Sequence, residues 1–235
     1  VRKTPEKAVA ADGLPGHVVH RQADDPGADL GGGGRSWRRR LESDTARYGV
    51  GPFDTYEDAD TGERCLTDGL PLVPLQGYNM NYHILQSPGW VVILNEMFHE
   101  YRTIPVDGRA HLREGVGQLL GDARGWWDGD TLVVETSNFS DKRHFLWRAT
   151  WRAARPGLHL IERFTRVDED TIDYEFTMTD PTMFTRPWTA RLPMTTDQVS
   201  RGVTSGPMFE YACHEGNYGP VSYTHLRAHE TLRYL

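Results

Sequence analysis

The sequence predicts an all-β fold: an antiparallel meander that closes into a lipocalin-like β-barrel, with a β-sandwich as the alternative. Three observations carry this. Hairpin-forming runs follow one another from residue 82 onward, the best of them alternate polar and apolar residues, and windows of helical period are few. At 235 residues the chain is long enough for one such domain with a sizeable core.

Residues 1–47 mix Gly, Pro, Ala, Asp and Arg, with GGGG at 31–34 and the basic run RSWRRR at 35–40. No period is sustained there, which predicts an irregular arm carrying a short helix over 37–46. The main domain is expected over 48–219. It opens with GPFDTYEDADTGERC and GLPLVPLQG, Pro-, Gly- and Asp-rich segments that read as ordered loop laid over a surface. A strand over 82–86 and a turn at 87–89 follow, and 90–104 then makes one long bent strand or two short ones. GDTLVVETSNF predicts a strand over 131–137, entered through a turn at 127–130. The clearest signal is LHLIERFTRVDEDTIDYEFTMTD, two β-rich runs over 158–167 and 171–179 joined by a tight acidic turn at 168–170. In the second run Ile172, Tyr174, Phe176 and Met178 alternate with Asp173, Glu175, Thr177 and Thr179, so one face is core and the other polar. RPWTARLPMT places Trp188, Ala190, Leu192 and Met194 on one side, and MFEYACHEG predicts a last short strand.

The net charge of −7 argues against a general nucleic-acid binder, which would carry a basic face. The longest apolar run, 91–94 behind Trp90, is a strand's worth and far short of the roughly 20 residues of a membrane-spanning helix. The chain begins at Val1 with no charged-then-apolar leader in view. Its two cysteines, Cys65 and Cys213, permit one intramolecular disulfide or two buried thiols.

Candidate chemistry gathers at a few places. Glu96 ends an apolar strand and in extended chain shares a face with Val92 and Leu94, so it points wherever they point. An inward carboxylate is how a general acid or base is made, with His99 or His214 as its partner; the structural alternative is a pair with Arg102 or Arg163. Glu162, on the side of Leu160 and Phe164, reads as part of an inward Glu–Arg network or as a ligand contact. Arg102, and Arg186 with Trp188, offer anion or carbonyl recognition or simple packing. Tyr78, Asn81, Tyr82 and His83 form a polar-aromatic cluster that could orient a ligand at a barrel mouth or cap a loop. The expected partner is a small, largely apolar molecule. An enzyme in the same barrel and a structural module with a filled core are the alternatives. No phosphate loop, nucleophile elbow or zinc-binding helix motif occurs, and neither cofactor nor metal is expected.

The segments GPFDTYED and ERC, YNMNYHILQ, VVILNEMFHEYRTIPVDGR, GDARGWWDGDTLVVETSNF, LIERFTRVDEDTIDYEFTMTDP, TRPWTA and FEYACHEGNYG resemble a bacterial, mostly predicted-secreted family of soil, planctomycete and acidobacterial genomes. The resemblance spans about residues 48–219. It implies export to an oxidising compartment, periplasmic or extracellular, and hence a Cys65–Cys213 disulfide; it implies no reaction. Residues 147–157 and 198–206 depart from the family pattern. Val221 to Leu235 resembles translated sequencing-library adapter, so 220–235 is expected to be a non-native tail. The ligand-like spacing of His225, His229 and Glu230 then carries no chemistry, and His214 and Glu215 remain as the family part of that stretch.

Overall fold

The structure, a computed structural model, describes residues 8–11, 61–62, 64–73, 79–140, 156–196, 208 and 210–213. It is all-β and antiparallel. Three strands, β2 (Asn81–Ser87), β3 (Trp90–Asn95) and β4 (Tyr101–Pro105), form one group. Five more, β5 (Asp122–Asp128), β6 (Thr131–Ser137), β7 (His159–Arg166), β8 (Thr171–Thr179) and β9 (Trp188–Thr195), form the other. A short strand, β1 (Ala8–Ala11), pairs with both β2 and β9, giving the sheet order β4-β3-β2-β1-β9-β8-β7-β6-β5.

Local chemistry explains most of these elements. Alternation in β8 buries Tyr174, Phe176 and Met178 and turns Asp173, Glu175 and Thr177 outward. β9 does the same with Ala190, Leu192 and Met194. The β2–β3 turn needs a positive φ, supplied by Gly89 at +81°. Between β3 and β4 the chain makes a 3-10 turn, Met97–His99, in which Phe98 and His99 adopt left-handed φ values of 59° and 41°. The two groups of strands pack inner face to inner face over a core that includes Tyr82, Ile93, Ile104, Val134, Leu160 and Phe176. Leu70 and Leu72, from the loop before β2, close part of it. Cys65 and Cys213 are disulfide-bonded, 148 residues apart in sequence, and tie that loop to the segment 210–213.

Of the two forms expected for 90–104 the structure has the second, two short strands, because the left-handed residues Phe98 and His99 break it. Several other expectations are corrected. Val91, Ile93 and Asn95 make the inner face of β3, whereas Val92 and Leu94 lie on the outer one. The segment read as an arm contributes β1; the expected helix at 37–46 lies outside the described residues. Residues 210–213 are not strand; the disulfide at Cys213 and an edge-on contact of Tyr211 with Phe98 at 5.3 Å are among the contacts that hold them. β5 was not expected at all. It has no β-branched residue, and a glycine sits at its centre because Ile104 and Val106 of the other group crowd in; a Cβ on Gly125 would lie 2.8 and 2.9 Å from their methyls.

Candidate functional site

β4 turns Tyr101 and Thr103 outward and Arg102 and Ile104 inward, so a guanidinium enters the core directly opposite Ile93 of β3. It is met by Glu162, which sits between Leu160 and Phe164 on the inner face of β7 and is fully buried. Arg102 Nη1 and Glu162 Oε2 lie 2.6 Å apart, an ion pair whose angle departs from that of a linear hydrogen bond. Arg102 Nη2 donates to Thr136 Oγ1 at 2.6 Å, and Tyr174 Oη donates to Glu162 Oε1 at 2.7 Å. The Leu72 backbone N–H donates in turn to Tyr174 Oη at 3.0 Å. Burial first, and then the neighbouring Glu162 charge and hydrogen bond, push the tyrosine hydroxyl well above its ordinary range. It therefore stays a donor at any physiological pH.

This chain of contacts joins the two strand groups to the 61–73 loop through one charge pair. Removing two charges from water costs several kcal/mol per ion, about as much as their attraction returns, so such pairs define an arrangement more than they stabilise it. One donor is left over: Arg102 Nε has no hydrogen-bond partner among the described residues. Arg102 also borders a small cavity whose walls include Leu70, Leu72, Ile93 and Leu120, with Asn95 and Glu100 as its other polar members. Its volume is about 10 Å³, room for about one water. Glu100 holds the loop over that cavity, accepting hydrogen bonds from the Thr67 hydroxyl and from the Asp68 backbone N–H.

The other expected site residues scatter. Glu96 is buried, but it leaves the strand at the start of the 3-10 turn and takes a hydrogen bond from Asn81 Nδ2 at 2.7 Å instead of pairing with an arginine. His99 is exposed on that turn. Tyr82 faces the core while His83, the next residue on β2, is half-buried on the outer face, so the two cannot line one cavity. Arg186 is exposed, and Trp188 packs edge-on against Phe176 and Phe184 at 5.5 and 5.7 Å. Arg163 is on the outer face, paired with Asp128. Tyr78 and His214 lie outside the described residues. Arg102 and Glu162 are thus brought together as an inward Glu–Arg pair, and Tyr174 and Thr136 complete a set that sequence reasoning had assigned to plain core and strand.

A second polar cluster, missed entirely, lies on the outer face of β5–β7. It contains His111, Asp122, Arg124, Glu135, Ser137 and His159. Only strand register brings these together: Asp122 pairs with Ser137 and Arg124 with Glu135, and His159 stands one step beyond the Thr136–Leu160 pair. No family profile, curated protein or solved structure matches the chain. No helix among the described residues is long and apolar enough to cross a membrane.

Proposed function

We propose that this is an exported protein whose strands close into a lipocalin-like barrel, and that it takes a small, largely apolar molecule into its interior beside Arg102. The observation that carries the reading is a buried guanidinium with an unused Nε–H, bordering a cavity whose other walls are mostly leucine and isoleucine. That combination suits an apolar body with one carbonyl or carboxylate oxygen. Barrel closure is supported by the terminal position of β4 and β5 in the sheet order and by the crowding of Ile104 and Val106 on Gly125. Export is supported by the disulfide. At about 10 Å³ the cavity must grow to admit a ligand, and the 61–73 loop, held by Glu100, is the wall that moves.

The size of that cavity also favours a second reading, a structural module with a filled core. One titration separates the two. The fluorescent probe N-phenyl-1-naphthylamine, competed with decanoate, should bind the purified chain saturably at one site and be displaced. Leu120→Trp, which overfills the cavity from a half-buried wall position, should abolish this while the far-ultraviolet circular dichroism at 20 °C, well below the roughly 45–65 °C midpoints of ordinary domains, shows the fold retained. Absence of saturable binding, or binding indifferent to Leu120→Trp, establishes the filled-core module.

A further inference from the structure

β5 carries two tryptophans in succession, Trp126 and Trp127, which point to opposite faces of the sheet. They are 45% and 48% exposed, so each keeps a large part of its indole in water. Trp127 is in register with Leu132 on the inner side, near the end of the strand, whereas Trp126 stands outside, in register with Val133 and through it with Arg163. Val133 is 1% exposed although it points outward between them. An indole laid across Val133, one ring face down and the other toward water, accounts for that burial. Polar side chains surround this ring: Arg124 and Asp128 lie two residues to either side on β5, Glu135 is in register with Arg124, and Arg163 lies beyond Val133. Arg163 Nη2 donates to Asp128 Oδ2 at 2.8 Å, while the other guanidinium nitrogens and Asp128 Oδ1 have no hydrogen-bond partner among the described residues. Charges on this face come in pairs, Arg124 with Asp122, Arg163 with Asp128, His159 with Glu135 and Arg191 with Asp173. The surface is rich in donors and acceptors but electrically balanced.

We propose that the outer face of β5–β7 around Trp126 binds a neutral oligosaccharide of glucose-configured pyranose units. A purely apolar partner would leave the polar surround without bonds, and a charged one would have to break the existing pairs. A pyranose of glucose configuration meets both demands. Its hydroxyls are equatorial and radiate outward in the plane of the ring, where they accept from a guanidinium and donate to a carboxylate. Its axial C–H bonds cover the two ring faces and rest on the electron-rich face of an indole. Arg163 and Asp128 supply the open donors and acceptor, and Trp126 supplies the platform. Glucose joined by β-1,4 bonds makes an extended ribbon that presents such faces in succession, a shape suited to an open sheet surface. Neither the interior cavity nor Arg102 takes part, so this binding stands apart from that of an apolar molecule inside the barrel.

The test is a calorimetric titration of the full chain with cellohexaose. Saturable binding is expected, weakened about tenfold or more in Trp126→Ala, since a stacked ring is lost, and less in Trp126→Tyr, which keeps an aromatic face. Trp127→Ala, on the opposite face of the same strand, should leave the affinity as in the parent, and so should Leu120→Trp in the interior cavity. Arg163→Ala and Asp128→Ala should each weaken binding several-fold; their side chains are 39% and 63% exposed, so both variants keep the fold and test the site without replacing the ring. Far-ultraviolet circular dichroism confirms that each variant compared is folded. Absence of saturable cellohexaose binding by the parent chain overturns the proposal. So does binding that survives Trp126→Ala, Arg163→Ala and Asp128→Ala unchanged, or that falls equally in a folded Trp127→Ala.

Discussion

Glu162 is the residue on which the interior depends. With both oxygens engaged, by Arg102 and by Tyr174, it has no exposure at all. Glu162→Ala strands a guanidinium in a low-dielectric core, and a loss of about 3–5 kcal/mol in unfolding free energy is expected from chemical denaturation. Tyr174→Phe removes a hydroxyl that donates to Glu162 and accepts from Leu72, so two partners lose a bond and about 1–3 kcal/mol should go. Equal, small losses in both variants would show that water replaces the network. Glu135 makes the pH case. Its carboxyl is held below the ordinary glutamate range, first by the hydrogen bond from His159 and then by the His159 and His111 charges, against partial burial. A depressed folded-state pKa contributes stability that is complete above the unfolded value of about 4.3 and is lost as the pH falls through the folded one. Melting temperature should therefore drop less steeply between pH 5 and pH 3 in Glu135→Gln than in the parent, roughly the window set by that reference value. Parallel curves would remove the pairing from the account.

Gly125 links the element scale to the packing of the two strand groups. Gly125→Ala places a methyl within 3 Å of the Ile104 and Val106 side chains, and β5 must shift or those residues must leave their rotamers. Overpacking of this kind costs about 1–3 kcal/mol, and loss of a sharp thermal transition at the higher end is the expected observation. That same glycine explains why β5 could not be read from sequence. In isolation GDARGWWDGD looks like turn chemistry, because its strand character comes from β6 on one side and β4 across the core. By contrast β7 and β8 were legible, since LHLIERF and TIDYEFTMT alternate without interruption. That Glu162 belongs to an inward Glu–Arg network was legible for the same reason, but its arginine was not: the sequence offers Arg102 and Arg163 as partners of Glu96. Arg102 and Arg163 are equally placed in composition, and only the alternation in β4, with Tyr101 outward, puts Arg102 inside. The reading of Glu96 failed in its premises: Val92 and Leu94 lie on the outer face of β3, and the chain leaves the strand after Asn95, so Glu96 is buried by the 3-10 turn and not by sharing a face with them. The His111 cluster had no local signal, because its members come from a loop and three strands and meet only through register.

For the whole molecule the decisive contact is the Cys65–Cys213 bond, which closes a loop 148 residues long around nearly all of the described strands. Chain-entropy reasoning assigns such a loop close to 5 kcal/mol, and measured losses of native disulfides in small secreted domains run at about 2–5 kcal/mol. The segment carrying Cys65 also supplies Thr67 and Asp68 to Glu100, and Leu72 to Tyr174, so it is fastened independently at its other end. Reduction should therefore lower stability without releasing the loop in the folded state. The expected result is a fall of several degrees or more in melting temperature for Cys65→Ser combined with Cys213→Ser, while the near-ultraviolet dichroism of the buried Tyr82 and Tyr174 is retained at 20 °C, a temperature chosen well below the roughly 45–65 °C midpoints of ordinary domains. If that signal collapses on reduction, the bonds to Glu100 and Tyr174 do not hold the loop by themselves. The disulfide would then be the condition for the Arg102 network rather than a reinforcement of it, and the interior site would form only in an oxidising compartment.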